Sequence, residues 1–318
     1  MHHFSKEVIF QTKNSEKALV HSFALIMLLG FELSYYLLIV QTGITQHFHS
    51  DLFTLFPLFV GGVLGTYMSG LKWGTLKTSQ QKILVALFVQ GLLSFLYPNY
   101  NSFMLFILGM VVGTIAPLSI YIFQRKQVIE LLAALAIAYT TGTYFFTSYV
   151  DFRMEMAIVL SLSAFVGALF LNSEHLDQKE TTKKLSKKLY VLPVIWILLD
   201  SQLFETLLRN PNIDIWSYYT YQIIFFHLLG LFVAYFTRRS KFKHIAIGLL
   251  FVLSYLCAYN EYLLTLTMIY PFVISYYNVV VFSLLSKEGS LRRLSLGMIF
   301  IAWFASGSGL ALALSKIF

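Results

Sequence analysis

The chain has 318 residues, of which 58% are hydrophobic and 12% are charged, and its mean hydropathy is +0.71. Soluble domains carry about 25% charged residues, so this composition excludes a soluble globular protein and indicates an integral membrane protein. The net charge of +8 does not indicate nucleic-acid binding, because the lysines and arginines lie in short loops between apolar stretches, where they set membrane orientation.

Eleven apolar stretches follow a polar amino-terminal tail. The tail, Met1–Lys17, is predicted to be cytoplasmic, because the run after it is too long for the apolar core of a signal peptide. Most stretches approach the length of about 17–25 residues that a membrane-spanning helix requires, and none has the alternation of a β-barrel strand. The predicted spans are Ala18–Gln41, Leu52–Leu71, Ile83–Tyr97, Phe103–Phe123, Val128–Thr147, Met154–Leu171, Leu189–Leu208, Trp216–Phe236, His244–Ala258, Tyr262–Leu285 and Leu291–Leu314.

The basic residues predict how these spans are oriented. With the amino terminus in the cytoplasm, 20 of the 23 lysines and arginines fall in segments on the cytoplasmic side. Only Arg153, Arg209 and Lys316 fall elsewhere. The positive-inside rule therefore predicts a multi-pass protein of the inner or plasma membrane, with its carboxyl terminus outside the cell.

A polar segment divides the chain into two unequal halves. Residues 174–188 are rich in lysine, glutamate and threonine, which predicts a solvated cytoplasmic linker. Residues 1–173 contain six predicted spans, and residues 189–318 contain five. We therefore expect an all-α membrane bundle of about eleven helices, in which the second half lacks a sixth helix.

The two halves have similar patterns. Leu52–Tyr97, which is two spans around a basic loop, is matched by Trp216–Ala258. A carboxylate lies at comparable depth in the first span of each half, Glu32 in one and Asp200 in the other. Weak internal symmetry of this kind is typical of transporters built from structural repeats.

In its architecture the chain resembles the major facilitator superfamily over nearly its whole length. The resemblance rests on the two halves, the charged central loop and the basic loops after the second and eighth spans. The loop Gly65–Gly74 is similar to the family's signature of spaced glycines and basic residues. Gly65, Lys72 and Gly74 keep this pattern, whereas Ser69 stands where the signature has an aspartate.

The resemblance implies a divergent, shortened member of this family. The arginine that proton antiporters carry in the fourth span is absent from Met104–Tyr121, and the glycine–proline motif of drug exporters is absent from residues 136–142. The family's arrangement implies that the first, fourth, seventh and tenth spans line a central cavity. It also implies that a substrate binds near the membrane midplane and crosses by alternating access.

The two central carboxylates are the leading candidates for function. A charge at the bilayer centre costs about 2.5–3.5 kcal/mol on insertion scales, so intramembrane acids are functional candidates by default. Glu32 and Asp200 are predicted to couple transport to protons or to bind a cation, and Tyr36 shares the helix face of Glu32 at i+4. The alternative for Glu32 is a structural carboxyl that stays protonated and bonds to a neighbouring helix.

Other polar side chains in the seventh, eighth and tenth spans are weaker candidates. Gln202 adds polarity beside Asp200, and Glu205 either lines an outer vestibule or, as we favour, pairs with Arg209 at i+4. A lone intramembrane histidine is more often a hydrogen-bonded structural residue than a ligand. The remaining candidate substrate- or proton-coupling residues are Tyr221, Gln222, His227, Tyr270 and Asn278.

The polar residues of the spans also indicate the class of substrate. No span centre contains a lysine or arginine, which disfavours anionic substrates, whereas carboxylates, tyrosines and amides favour a neutral or cationic organic solute. Because no nucleotide-binding motif is present, an ion gradient is expected to supply the energy. We expect a proton-coupled secondary transporter rather than an enzyme, with no cofactor. Its expected partners are a small-molecule solute, protons and the lipid bilayer, without nucleic acid, and it is expected to be a monomer or homodimer.

Two alternatives belong to other functional classes. The first is a divalent metal-ion transporter that uses Glu32, Asp200 and His227, since carboxylates and an imidazole can coordinate such an ion. The second is a polytopic membrane transferase, which we favour less. Such enzymes need catalytic groups at a membrane face, whereas the acids of this chain lie at the midplane.

Overall fold

The computed structural model describes residues 2–48, 51–74, 76, 78–123, 128–148, 152–171, 185–210 and 213–315. These residues form eleven helices, and the β-structure among them is limited to one isolated bridge between Trp73 and Leu76. The helices are α1 His2–Tyr35, α2 Leu52–Ser69, α3 Ser79–Ser94, α4 Ser102–Ile122, α5 Val128–Ser148, α6 Arg153–Leu169, α7 Val191–Arg209, α8 Ile215–Thr237, α9 Lys243–Tyr259, α10 Leu263–Leu285 and α11 Leu291–Met298.

Two of the helices change their winding. The first, α1, continues without a break as a π-helical segment, Tyr36–Ile44, and a short α-helical end, Thr45–His47. The last, α11, continues as a π-helical segment, Ile299–Ala305, and then as Ser306–Leu314. With these continuations, each of the eleven predicted spans coincides with one helix of the described chain.

Eight of the described helices are long and apolar enough to cross a membrane. They are α1, α2, α4, α5, α7, α8, α10 and α11 with its continuation. The prediction of a multi-pass, all-helical membrane protein is therefore confirmed.

The other three, α3, α6 and α9, have 16, 17 and 17 residues. At about 1.5 Å per residue they reach roughly 25 Å, less than the bilayer core of about 30 Å. Eight helices, rather than eleven, thus meet the criteria of a span.

Polar residues define where several helices begin. Asn101 accepts a hydrogen bond from the Met104 amide at the start of α4, and Asp214 does the same for Ser217 at the start of α8. Asp51 caps α2, and the Thr54 hydroxyl together with the first amides of the helix holds the pKa of this carboxyl below its ordinary value. Such caps satisfy amides that have no partner within the helix.

The helices pack in a definite order. Within the first six, α1 contacts α5 and α6, α2 contacts α4, and α3 contacts α4 and α6. Within the last five, α7 contacts α11, α8 contacts α10, and α9 contacts α10. The two groups meet through α5 against α8 and α10, and through α11 against α2 and α4. Most of the predicted linker lies outside the described residues, as does Lys316.

The contact between α2 and α4 depends on glycine. A Cβ atom at Gly65 would lie 2.0 Å from the Met110 carbonyl oxygen, and one at Gly113 would lie 2.2 Å from the Gly62 carbonyl oxygen. These distances leave no room for any side chain, so the two backbones touch directly. Small residues at the contact thus let the two helices pack closely.

Candidate functional site

A cavity of about 300 Å³ lies at the centre of the bundle. It is lined by α1, α4, α5, α7, α8, α10 and α11, so both groups of helices form its wall. The four helices expected to line a cavity are among these seven. The predicted site residues on its wall are Glu32, Tyr36, Asp200, His227, Tyr270 and Asn278. This volume is within the range of pockets that bind small organic molecules, about 300–1,000 Å³.

Asp200, on α7, is held by two tyrosine hydroxyls of α10. Tyr270 donates to Oδ1 at 2.9 Å, and Tyr277 donates to Oδ2 at 2.6 Å. The two tyrosines are seven residues apart, close to two helical turns, and therefore project from the same face of α10. Both distances are within the range of strong O–H···O hydrogen bonds. The carboxyl is thus oriented by two neutral hydroxyls, and neither ion pair of the described chain includes it.

Glu32, on α1, lines the same cavity but has its hydrogen-bond partner behind the wall. Its Oε2 accepts a hydrogen bond at 2.8 Å from Nε2 of Gln90 on α3. The same Gln90 nitrogen lies 3.3 Å from the hydroxyl of Ser161 on α6. Gln90 and Ser161 are both fully buried. The Glu32 carboxyl therefore connects the cavity to a polar network inside the first six helices.

Gln90 has an unused acceptor in this network. Its Oε1 is buried and has no hydrogen-bond partner among the described residues. An amide presents either two N–H donors or a carbonyl acceptor, depending on its rotation. With Nε2 toward Glu32 it donates a hydrogen bond to the carboxylate, and with Oε1 toward Glu32 it accepts a hydrogen bond from the protonated carboxylic acid. Gln90 can therefore bond to Glu32 in both protonation states.

His227 joins three helices at the cavity wall. Its Nδ1 lies 2.7 Å from the hydroxyl of Ser275 on α10, and its ring stacks on Tyr139 of α5 with centroids 4.3 Å apart. The Tyr139 hydroxyl in turn accepts a hydrogen bond at 2.7 Å from the Asn278 amide. His227 is thus fully engaged in contacts between α5, α8 and α10, which fits a hydrogen-bonded structural role.

Two predicted site residues of α7 lie outside the cavity lining. Glu205 is buried and pairs with Arg209 at 3.2 Å, which is the pairing favoured from the sequence. Gln202 accepts a hydrogen bond at 2.9 Å from the Tyr255 hydroxyl of α9. At about 100° per residue, Gln202 and Glu205 are about 200° and 140° round the helix from Asp200, so they face other neighbours.

Two predicted residues of α8 also lie outside the lining. Gln222 donates a hydrogen bond at 2.8 Å to the Thr267 hydroxyl and joins α8 to α10. Tyr221 is 77% exposed on the outer surface of the helix bundle. In a membrane this surface faces lipid, so the position of Tyr221 is that of an anchor rather than a cavity residue.

Both π-helical segments reach the cavity. Tyr36 and Thr42 line it from the first segment, and Trp303 lines it from the second. In the first segment, the Thr42 hydroxyl donates to the Leu37 carbonyl, five residues earlier, at 2.8 Å. Single π-helical turns are rare and occur frequently at functional sites. The sequence did not predict the π-helical segments, and Gln90 and Tyr139 were not among the predicted site residues. A signal for Gln90 was present, because it is an amide in the middle of an apolar stretch.

An aromatic cluster lines one end of the cavity. Trp216, at the start of α8, contacts Phe146 near the end of α5 and Phe204 of α7, with ring centroids 5.9 Å and 5.7 Å away. All three rings line the cavity and adopt edge-to-face geometry. The cluster connects the first six helices to the last five at this end.

The electrostatic character of the cavity is acidic. The lining residues include Glu32 and Asp200 but no lysine or arginine. The three ligands of the metal-transport alternative all line the cavity. Among the residues that the structure describes, however, no three histidine, cysteine, aspartate or glutamate side chains come close enough to hold one ion. The cavity can therefore attract a positively charged molecule without gathering a set of metal ligands.

The sequence was compared with models of protein families and with curated proteins. No family model matches the chain, and no curated protein matches it. The structure therefore supports a multi-pass helical membrane protein with about eight candidate spans, without assignment to a family.

Proposed function

We propose that the protein is a secondary transporter that moves a small neutral or cationic organic solute by alternating access, coupled to protons. The observation that carries the proposal is the central cavity, which has Glu32 of α1 on one wall and Asp200 of α7 on another. Intramembrane acids that face a cavity typically mark substrate or proton pathways.

The order of helix packing supports a bundle of two repeated halves like that of the major facilitator superfamily. Adding six to each helix number converts the pair α1–α5 into α7–α11, α2–α4 into α8–α10, and α3–α4 into α9–α10, and all six pairs are in contact. The four contacts between halves are related in the same way if a twelfth helix is counted: α5–α8 corresponds to α2–α11, and α4–α11 corresponds to α5–α10. The contacts of α6 have no counterpart because the second half has five helices. We propose a divergent, shortened relative of that family.

The surroundings of Asp200 support a cationic substrate over a neutral one. Neither of the two ion pairs within the described chain, Glu205–Arg209 and Glu288–Arg293, includes Asp200. Tyr270 and Tyr277 fix both carboxylate oxygens, so a cation that enters the cavity meets a preorganised charge. Aromatic rings on the same wall add favourable contacts for an ammonium group.

The surroundings of Glu32 support a proton-coupling role. A coupling carboxyl must exist in both charge states without destabilising the protein. Gln90 provides a donor for the carboxylate and, after rotation, an acceptor for the acid. Because Glu32 also lines the cavity, its charge state can respond to a cation bound at Asp200.

Contacts between the halves at two places support alternating access. The Ser69 and Ser295 hydroxyls lie 2.7 Å apart where α2 ends and α11 begins. The Phe146–Trp216 contact lies where α5 ends and α8 begins. In the predicted topology these contacts are on opposite sides of the membrane. Rocking of one half against the other would open one while the other closes.

A thermal-shift screen of purified protein tests the proposed substrate class. Organic ammonium compounds should raise the melting temperature in a saturable way, since a ligand that binds only the folded state stabilises it. Asp200→Asn should abolish this rise, whereas Glu261→Gln, an exposed acid in a loop, should retain it. Stabilisation of Asp200→Asn equal to that of the wild type would refute Asp200 as the cation site.

A further inference from the structure

A second pocket lies away from the central cavity, at the start of α6. Its wall combines the end of the α1 continuation, the loop between α3 and α4, and the first turn of α6. Polar lining residues from these three segments are Gln46, His47, Tyr97, Arg153 and Glu155. In the predicted topology this pocket lies on the outer side of the membrane. It is separate from the transport cavity and has its own charged group.

Arg153 is the unusual residue of this pocket. Its side chain is buried, with 4% of the residue exposed. Nη1 donates to Oε1 of Gln46 at 3.2 Å, and the guanidinium lies over the Phe146 ring at 5.5 Å. Nε and Nη2 are buried and have no hydrogen-bond partner among the described residues. Because arginine is always charged and buried donors are nearly always satisfied, these two nitrogens indicate a missing acceptor.

The geometry of the two unused nitrogens defines that acceptor. Nε and Nη2 lie on the same edge of the guanidinium plane and form its side-on fork. This fork matches two oxygens of one phosphate or carboxylate group. A single group with two oxygens can therefore satisfy both nitrogens at once.

The start of α6 strengthens the attraction for an anion. Arg153 is the first residue of α6, and Phe152 at the cap position supplies no side-chain hydrogen bond. The first turn of the helix carries the positive end of the helix dipole, which favours an anion beside it. Glu155 lines the same pocket but forms no ion pair with Arg153 in the described chain, and its charge opposes an anion.

We propose that this pocket binds a phosphate group, held by Nε and Nη2 of Arg153 beside the positive end of α6. The phosphate is either free inorganic phosphate or the headgroup of an anionic phospholipid. Phe146, below the guanidinium, also belongs to the aromatic cluster of the central cavity. The site is independent of the proposed transport function and can be tested without a substrate.

The first arm of the test is a phosphate titration in an uncharged detergent, with sodium chloride adjusted to constant ionic strength. The melting temperature of the wild type should rise and saturate. Arg153→Gln should lose the saturable rise, and Arg153→Lys should weaken binding roughly tenfold because it keeps the charge but not the fork. Arg239→Gln, an exposed arginine elsewhere, is the matched control and should behave like the wild type.

The second arm identifies the source of the phosphate group. Mass spectrometry of the intact protein, purified with phosphatidylglycerol and phosphatidylcholine, measures the lipid retained per chain. Retention of phosphatidylglycerol by the wild type and Arg239→Gln, but not by Arg153→Gln, identifies a lipid headgroup. A saturable phosphate effect without lipid retention identifies the free ion.

One variant decides the proposal even if Arg153→Gln does not fold. Glu155→Gln removes the opposing charge from an exposed position and should lower the half-saturating phosphate concentration several-fold. The proposal is overturned if Glu155→Gln leaves this concentration unchanged. The proposal is also overturned if two results occur together. Phosphate raises the melting temperatures of the wild type and Arg153→Gln equally and without saturation, as general salt exclusion would. Neither protein retains lipid.

Discussion

Glu32 of α1 and Asp200 of α7 line one cavity, yet their surroundings differ. Two tyrosine hydroxyls hold the Asp200 carboxylate within the cavity wall. The partner of Glu32 is a single amide that lies behind the wall. These surroundings are consistent with the different roles that we propose for the two carboxyls, ligand binding at Asp200 and a change of charge at Glu32.

Removal of the charge of Asp200 is expected to have the largest effect. Asp200→Asn should weaken the binding of an organic cation by roughly tenfold to a hundredfold, because a hydrogen-bonded charge pair contributes about 1.5–3 kcal/mol. Calorimetry on purified protein measures the affinity. Glu205→Gln, in the same helix but outside the cavity lining, should leave the affinity near that of the wild type. Equal losses in both variants would mean that the effect is general destabilisation of α7.

Removal of the Glu32 charge should affect coupling rather than binding. Glu32→Gln cannot exchange a proton, so cation flux through the variant should lose its dependence on a pH gradient. Its cation affinity should stay within a few-fold of the wild type, because Asp200 is unchanged. Flux into proteoliposomes at several imposed gradients measures the first property. A gradient dependence equal to that of the wild type would refute the coupling role.

A variant of Gln90 tests how much the buried Glu32 carboxyl depends on its hydrogen-bond partner. Gln90→Leu removes both the donor and the acceptor and leaves the Glu32 carboxyl without its partner. The free energy of unfolding should fall by about 1–3 kcal/mol, as expected for a buried polar group left unsatisfied. Denaturant unfolding in detergent measures this loss. Gln222→Leu, which breaks a partly buried bond to Thr267, is the matched control and should cost less.

The smallest predicted effect concerns the tyrosines at Asp200. Tyr277→Phe removes the 2.6 Å hydrogen bond but keeps the ring, so cation affinity should fall by roughly threefold to tenfold. Tyr276→Phe, the neighbouring residue, is the control because its hydroxyl accepts a hydrogen bond from Thr237 instead. The same titration measures both variants. An unchanged affinity in Tyr277→Phe would show that the bond does not orient Asp200 for its ligand.

Much of the helical architecture could be predicted because membrane insertion depends on the composition of each stretch by itself. Hydropathy located eleven helices, and the cost of a buried charge singled out Glu32 and Asp200. The lengths of α3, α6 and α9 were harder to predict, because hydropathy does not define where a helix ends. The orientation of the chain in the membrane stays a prediction.

The details of the site depend on how each helix is rotated against its neighbours. The angle between residues around a helix predicts that Gln202 and Glu205 face away from Asp200. In the structure Gln202 bonds to Tyr255 and Glu205 pairs with Arg209. This angle alone could not pair Glu32 with Gln90, because that contact depends on how α1 and α3 are positioned by α6. The π-helical segments also change locally which residues share a helix face, and no residue pattern in the sequence predicted them.

A single flux experiment separates the proposed roles of Glu32 and Asp200. Proteoliposomes with wild type, Glu32→Gln or Asp200→Asn are given a pH gradient, and the flux of the best-binding organic cation from the thermal-shift screen is measured. Flux through the wild type should follow the gradient, and flux through Glu32→Gln should not depend on it. At a cation concentration near the wild-type Kd, flux through Asp200→Asn should be reduced roughly tenfold or more. Gradient-driven flux through Glu32→Gln, or wild-type flux through Asp200→Asn, would contradict the division of roles between the two carboxylates.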